Sequence, residues 1–195
     1  YMLWIGLPFL GRQTAAYERF KGFCLHAKPE WKLSVLDPRY PAVRDSLAGR
    51  LESLARDSGI DGFKLDFIEL FHAQNGNADG LPEAVELLLK EITERLRKIK
   101  ADMLIEFRRP YEGSVLRKYG NMFRAGDCPA DFNSNRIQIA DLRFICPEAA
   151  IHSDMLMWGF HESPEQAALQ VIHVLFSVPQ ISVRLAEMPE DHKKM

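Results

Sequence analysis

Short apolar runs that stop in polar residues alternate along this chain with longer segments whose apolar positions recur at helical spacing. The run Tyr1 to Leu10 predicts a strand, and Arg12 to Ala27 a helix that becomes irregular around Pro29 and Trp31. A clearer helix starts near Pro41, shows Val43, Leu47, Leu51, Leu54 and Ala55 on one face, and ends at Gly59. Ile60, Phe63, Leu65 and Phe67 mark the next strand, which a polar loop, Gln74 to Gly80, follows. Leu81 to Lys100 is the strongest helical pattern, with Glu83 and Glu86 near its start and Arg95, Arg97, Lys98 and Lys100 near its end, as the helix dipole favours. Glu91 with Arg95 and Glu94 with Lys98 have the spacing of pairs within one helix. Further strands are expected at Met103–Phe107, Asn121–Ala125, Ala149–Leu156 and Gln180–Leu185, with helices over 111–119, 133–144 and from the Ser163 cap to about Ser177.

This βα repetition predicts six strands joined by crossovers. Such units build either an open doubly wound sheet or a closed barrel. No glycine-rich phosphate turn follows the first strand, whereas charged and polar side chains recur at strand ends: Lys64 with Asp66, Glu106 with Arg108, Arg124 with Asp127, His152 with Asp154. The expected fold is therefore α/β, a (β/α)8 TIM barrel present as about six βα units, strands 3 to 8. Such a barrel typically takes about 250 residues, so two further units are expected upstream of Tyr1.

The chain's 195 residues and 47% hydrophobic content suit one globular domain, residues 1–195. Lysine and arginine number 25 against 27 acidic residues, a net charge of −2 that supplies no basic surplus for nucleic acid. No apolar run approaches the ~18 residues of a spanning helix, so no membrane partner is expected. The three cysteines, Cys24, Cys128 and Cys146, form no CxxC pair, which leans towards a reducing, cytoplasmic-type compartment. Nothing in the pattern bears on self-association, and a homo-oligomer is compatible with it.

Asp66 and Asp127 each follow a strand whose apolar body would hold a carboxylate at one rim of the barrel. Two such groups suit glycoside hydrolysis, one ionised and nucleophilic, the other protonated and able to donate to the leaving oxygen. Lys64 and Asp66 share a strand face at i,i+2, so spacing alone is equally compatible with a structural ion pair.

Resemblance adds to this reading. Asp61-Gly-Phe-Lys-Leu-Asp66 resembles the K-x-D strand of glycoside hydrolase family 36, the α-galactosidase or melibiase group, whose aspartate is the nucleophile. Leu36-Asp-Pro-Arg-Tyr-Pro-Ala-Val-Arg44 is similar to that family's LDxxxPxVR stretch, and Leu104-Ile-Glu-Phe107 to its fifth strand, LIES. Phe123-Arg-Ala-Gly-Asp127 with Asn135-Arg-Ile-Gln138 resembles its sixth-strand W-T-S-D…R-x-x-Q region. The resemblance covers residues 3–185. It implies Asp66 as nucleophile, Asp127 as general acid/base, and Lys64 as a donor to sugar hydroxyls that keeps Asp66 ionised. The chain departs from the family at Phe107-Arg-Arg-Pro-Tyr111, where the family has Cys-x-x-Gly-Gly-Gly-Arg, and at Gly126-Asp127-Cys128, where it has Ser-Asp-Asn. The resemblance thus implies a divergent retaining α-glycosidase, acting on a terminal α-galactoside or oligosaccharide.

Other polar residues have two readings. Arg108 and Arg109 offer forked donors to hydroxyls or an anionic substituent, and Arg108 is the one expected on the ligand. Asp131, four residues after Asp127, rivals it for the acid role. His152 and Asp154 suit hydrogen bonding to substrate better than metal binding, since no HExxH or cysteine cluster accompanies them. His72 reads as an ordinary loop residue. Trp158 falls in an expected βα loop as a sugar platform, whereas Trp4, inside a strand, reads as core. No cofactor or metal is implied, and neither Ser153, Ser177 nor Cys128 has the context of a nucleophile. The alternatives are an α-glycosidase of other sugar specificity and a noncatalytic carbohydrate-binding barrel.

Overall fold

The computed structural model of the chain describes residues 1–74, 76–109, 111, 113 and 115–194. They form two compact units, Tyr1–Ile105 and Glu106–Met195. The fold is α/β, a mostly parallel six-stranded sheet with intervening helices, consistent with part of a TIM-type barrel.

In the first unit β1 (Met2–Gly6) pairs in parallel with β5 (Gly62–Asp66), Trp4 opposite Lys64 and Gly6 opposite Asp66. The apolar run at the start of the chain breaks after β1, because Pro8 cannot donate to a ladder. Phe9–Gly11 becomes β2, which joins β3 (Cys24–Lys28) and β4 (Leu33–Leu36) in an antiparallel sheet of order β2-β4-β3. The long helix expected over Arg12–Ala27 is therefore only α1, Ala15–Phe20. Its ring Phe20 packs with Leu10, Leu36 and Val43 in a small separate core, and that packing draws residues 24–28 into a strand.

The helix α2 (Pro41–Ser58) starts with proline in its first turn and stops at Gly59, whose φ of 59° is open to glycine without strain. The next helix, α3 (Leu81–Ile99), buries Leu81, Leu88, Leu89, Ile92 and Leu96. Glu91 and Arg95 reach across to α2, while Glu94 pairs along α3 with Lys90 at 3.9 Å instead of with Lys98 as expected. Arg44 donates to Glu91 at 2.9 Å and Arg95 to Asp45 at 2.7 Å, so the expected Glu91–Arg95 pair gives way to bonds between helices. The last strand of this unit, β6 (Leu104–Arg108), starts beside β5, where Leu104 N donates to Asp61 O. Gly62 permits that approach, since a Cβ there would run into the Leu104 carbonyl.

In the second unit the end of β6 pairs with β7 (Met122–Arg124), β7 with β8 (Ala150–Leu156) and β8 with β9 (Val178–Ile181), all in parallel. The helix α4 (Phe132–Ile145) links β7 to β8, and α5 (Pro164–Ile172) links β8 to β9. The short helix expected over 111–119 is a 3-10 turn, Leu116–Lys118, and its earlier part includes residues outside those described. The final strand comes earlier than its apolar run indicates, because the chain turns at His173–Ser177 and re-extends at Val178.

The two faces of these strands differ in kind. One carries Phe63, Leu65, Ile105, Phe107, Phe123 and Ile151, all fully buried. The other carries Trp4, Lys64 and Asp66 in the first unit, and Glu106, Arg108, Arg124, His152 and Asp154 in the second. Parallel strands are usually apolar on both faces. A polar face is a departure that needs a use.

Candidate active site

In the first unit Asp66 closes β5 and is 5% exposed. Its carboxylate is surrounded by donors. The indole Nε1 of Trp4 donates to Oδ2 at 2.8 Å, the backbone N–H of Phe67 donates to Oδ1 at 2.8 Å, and the Lys64 ammonium lies 3.8 Å from Oδ2. Phe67 achieves its bond from a left-handed conformation, φ 65°, that a bulky side chain rarely adopts. Strain of about 1–3 kcal/mol per such residue is tolerated where surrounding contacts enforce it. Here they do: the Phe67 ring packs against Trp4, Phe9 and Trp31, with centroids 5.8, 4.9 and 6.0 Å away.

The segment after Asp66 is pinned from the small sheet. The buried His26 donates Nε2–H to Leu70 O at 3.1 Å and stacks on His72, which donates to Glu69 O. The Leu36-Asp-Pro-Arg stretch has a similar structural part. Arg39 forks onto the buried Asp37 and donates to the carbonyls of Asn77 and Asp79, tying down the loop before α3.

In the second unit the centre is Arg124, 5% exposed on β7. One guanidinium nitrogen is in close contact with Asp154 Oδ1 and another donates to Asp127 Oδ1 at 2.7 Å. Asp154 is fully buried, and its second oxygen accepts from Cys128 N at 2.6 Å. Asn135 of α4 fixes the backbone of Asp154 from both sides, accepting from its N–H at 2.9 Å and donating to its carbonyl. Gln138, one turn on, accepts from Gly126 N at 2.7 Å. The Asn135–Gln138 stretch thus anchors the ends of β7 and β8. Asp127 itself is largely exposed, its side chain retaining 66% of its accessible surface. It opens with Arg108, Arg109, Gly126 and Gln138 onto a groove of about 460 Å³.

The cluster Asp154–Arg124–Asp127 carries one positive and two negative charges. Arg124 is thus shared between the buried Asp154 and the exposed Asp127.

Several expected site residues have other parts. Asp154 has both oxygens engaged and no exposure, so it positions Arg124 instead of touching a sugar. Asp131 is the N-cap of α4. Its oxygens accept from the Ser134 hydroxyl and N–H, and those bonds hold its carboxyl below the usual range. Trp158 is 6% exposed and lines an apolar groove with Val171, Ile172 and Leu185, which is packing and not an open platform. Arg108 is half-buried, donates to the Arg109 carbonyl and lies 5.6 Å from the Tyr111 ring centre. Arg109 is held by Asp141 at 2.8 Å. His152 stands level with Arg124 on the same face. Burial pushes its imidazole below the usual value, against a smaller upward pull from Glu106. Lys64 lies 3.8 Å from Asp66, the contact expected of a structural ion pair as much as of a sugar-binding lysine.

Trp4 is the residue the sequence hid, because an indole inside an apolar run reads as core. It is 57% exposed and bonded to Asp66. Among the described residues no group of three or more metal-binding side chains occurs, and no helix is long and apolar enough to cross a membrane.

No family model and no curated protein matches the sequence. Solved structures do. The chain superimposes on the α-galactosidase of Lactobacillus brevis with a TM-score of 0.72 and 15% identity, over 99% of this chain and 28% of that one. The family 36 α-galactosidase AgaA of Geobacillus stearothermophilus gives 0.72 and 14%, over 100% and 29%; variants of it in complex with stachyose and with raffinose match as well. The glycoside hydrolase domain of PelA from Pseudomonas aeruginosa gives 0.63 and 18%, over 93% and 77%. The likeness is one of fold. At these identities it shows the fold alone, and the chain spans less than a third of the α-galactosidase chains.

Proposed function

We propose that the protein is a retaining α-glycosidase acting on a terminal α-galactoside, with Asp66 as nucleophile and Asp127 as general acid/base. The observation that carries this reading is the set of donors around Asp66: indole, backbone N–H and ammonium converge on one carboxylate at a strand end. Such a group is oriented in advance and has shed most of its water, which is what a nucleophile in a displacement needs. In the first step an Asp66 oxygen bonds to the anomeric carbon as the glycosidic C–O bond breaks, and the Asp127 proton passes to the leaving oxygen. In the second, Asp127 takes a proton from water, whose oxygen attacks the anomeric carbon and releases Asp66. The scheme requires the two carboxyl groups to face each other roughly 5–5.5 Å apart. No step uses a cofactor.

A different sugar is the second reading. It is favoured by the Phe107–Tyr111 stretch, which departs from the α-galactosidase pattern, and by the closer match in length to the PelA hydrolase domain.

The test is hydrolysis of aryl α-galactosides and other aryl α-glycosides by the full-length protein. Asp66→Ala should abolish turnover, azide should restore it as a glycosyl azide of inverted configuration, and the wild-type product should keep its anomeric configuration. Equal rates in wild type and Asp66→Ala would remove the nucleophile assignment. For Asp127, replacement should harm substrates with poor leaving groups far more than activated aryl glycosides.

A further inference from the structure

We infer that His26 is a positioning residue for Asp66: from the small antiparallel sheet it fixes the turn that presents the Phe67 N–H to the carboxylate. The inference deepens the proposed reading of Asp66 as nucleophile and rests on it for its catalytic consequence. After Asp66 the chain makes a 3-10 turn, Ile68–Leu70, closed by Leu70 N donating to Phe67 O at 3.0 Å. Phe67 enters this turn in the left-handed region and donates to Asp66 from that conformation. A bulky residue there must be held by its surroundings. The small sheet holds both ends of the turn. Phe9 of β2 packs its ring on Phe67, and His26 of β3 donates Nε2–H to the Leu70 carbonyl at 3.1 Å.

The strand that carries His26 is irregular just before it. Cys24 pairs with Leu36 and His26 with Val35, so two steps along β3 match one along β4. Such a bulge re-aims the side chains that follow it relative to a regular ladder. The side chain so placed is the one that reaches Leu70.

His26 is buried at a cost to the fold. A carbonyl can only accept, so Nε2 carries the proton and Nδ1 of the neutral ring is a bare acceptor. That nitrogen is buried and has no partner among the described residues. An apolar side chain of similar size would fill the site without this penalty. It would not orphan the Leu70 carbonyl either, which also accepts from the His72 N–H at 2.8 Å. Stability alone therefore does not account for an imidazole here, whereas its bond to the turn does.

The experiment compares His26→Leu, His26→Gln and His72→Ala with wild type in the full-length protein. Hydrogen–deuterium exchange of the Phe67 amide, kcat and KM on an aryl α-galactoside, and the melting temperature are measured for each. His26→Leu should speed exchange at Phe67 about tenfold and lower kcat about five- to tenfold, with KM within about twofold and no fall in melting temperature. His26→Gln, whose amide can donate from near the place of Nε2, should restore most of both. His72→Ala removes the stacked ring but not the donor, and should leave both near wild type.

Unchanged exchange at Phe67 in His26→Leu, a loss of kcat that His26→Gln does not restore, or a loss matched by a fall in melting temperature would each overturn the positioning role. Faster exchange in His26→Leu with no hydrolysis by wild type would instead remove the nucleophile reading and uphold His26 as the residue that holds Phe67 on Asp66. The two failures are thus distinguishable.

Discussion

The indole N–H of Trp4 and the carboxylate of Asp66 are joined by a 2.8 Å hydrogen bond from one parallel strand to its neighbour. Hydrogen bonds to charged groups contribute about 1.5–3 kcal/mol. If Asp66 is the nucleophile, Trp4→Phe keeps a ring against Phe67 and removes only the donor. The expected outcome is a fall in kcat of roughly ten- to a hundredfold, measured with an aryl glycoside, with a fall in melting temperature of several degrees because the bond also holds the two strands.

Asp154 is the buried partner of Arg124, and removing it leaves the buried guanidinium with the largely exposed Asp127 as its remaining carboxylate. Asp154→Ala should cost about 3–5 kcal/mol of stability. The double change with Arg124→Met should cost less than the sum of the two single ones, because the buried charge disappears with its partner. Urea denaturation of the four proteins of the cycle measures this.

Cys128 lies beside Asp127, where a reactive thiol could be mistaken for part of the chemistry. Burial, reinforced by the negative charge of Asp154, pushes its thiol up to about 11. At pH 7.5 the thiolate is scarce, so iodoacetamide should leave Cys128 unmodified in the native protein and label it only after denaturation. Mass spectrometry of the digested protein reads the difference.

Acid should weaken the fold partly through His152. Burial lowers its folded pKa below the ordinary imidazole value of 6.5, so the folded state binds fewer protons than the unfolded one in that range. The contribution is therefore present above pH 6.5 and is lost as pH falls through the folded value. His152→Gln should flatten the fall in melting temperature between pH 7 and pH 5 relative to wild type.

Gly62 sits where a side chain has no room. A Cβ there would meet the Leu104 carbonyl oxygen and lie 2.5 Å from the Leu104 Cβ. Gly62→Ala should lower stability by about 1–3 kcal/mol, as overpacking does, and shift the urea midpoint down without changing its slope.

The parallel strands and long helices were legible because their signals are local: apolar spacing, Pro41 and Gly59 at the ends of α2, Ser163 capping α5. The antiparallel sheet was not, since residues 24–28 form a strand only when Leu33–Leu36 lies alongside. Lys64, Asp66 and Asp127 were picked out because charge at the end of an apolar strand is conspicuous. Asp154 carried the same signal and is fully buried, since a strand-end position does not say which way a neighbouring guanidinium will draw a carboxylate; Trp158, an aromatic in an expected loop, is buried too. Trp4 needed the reverse correction. Its role depends on β5 lying beside it in register, which no window of the sequence contains.

Dividing the strands into an apolar side and a charged side has a consequence for how such a protein can change over time. Charged residues alternate with residues that hold the chain folded, each pointing away from the other. Selection can therefore rewrite the polar side one position at a time without touching the helices' footing. Inserting or deleting a single strand residue would exchange the two sets and cost both at once. Drift by substitution, never by slippage, is the path this architecture leaves open.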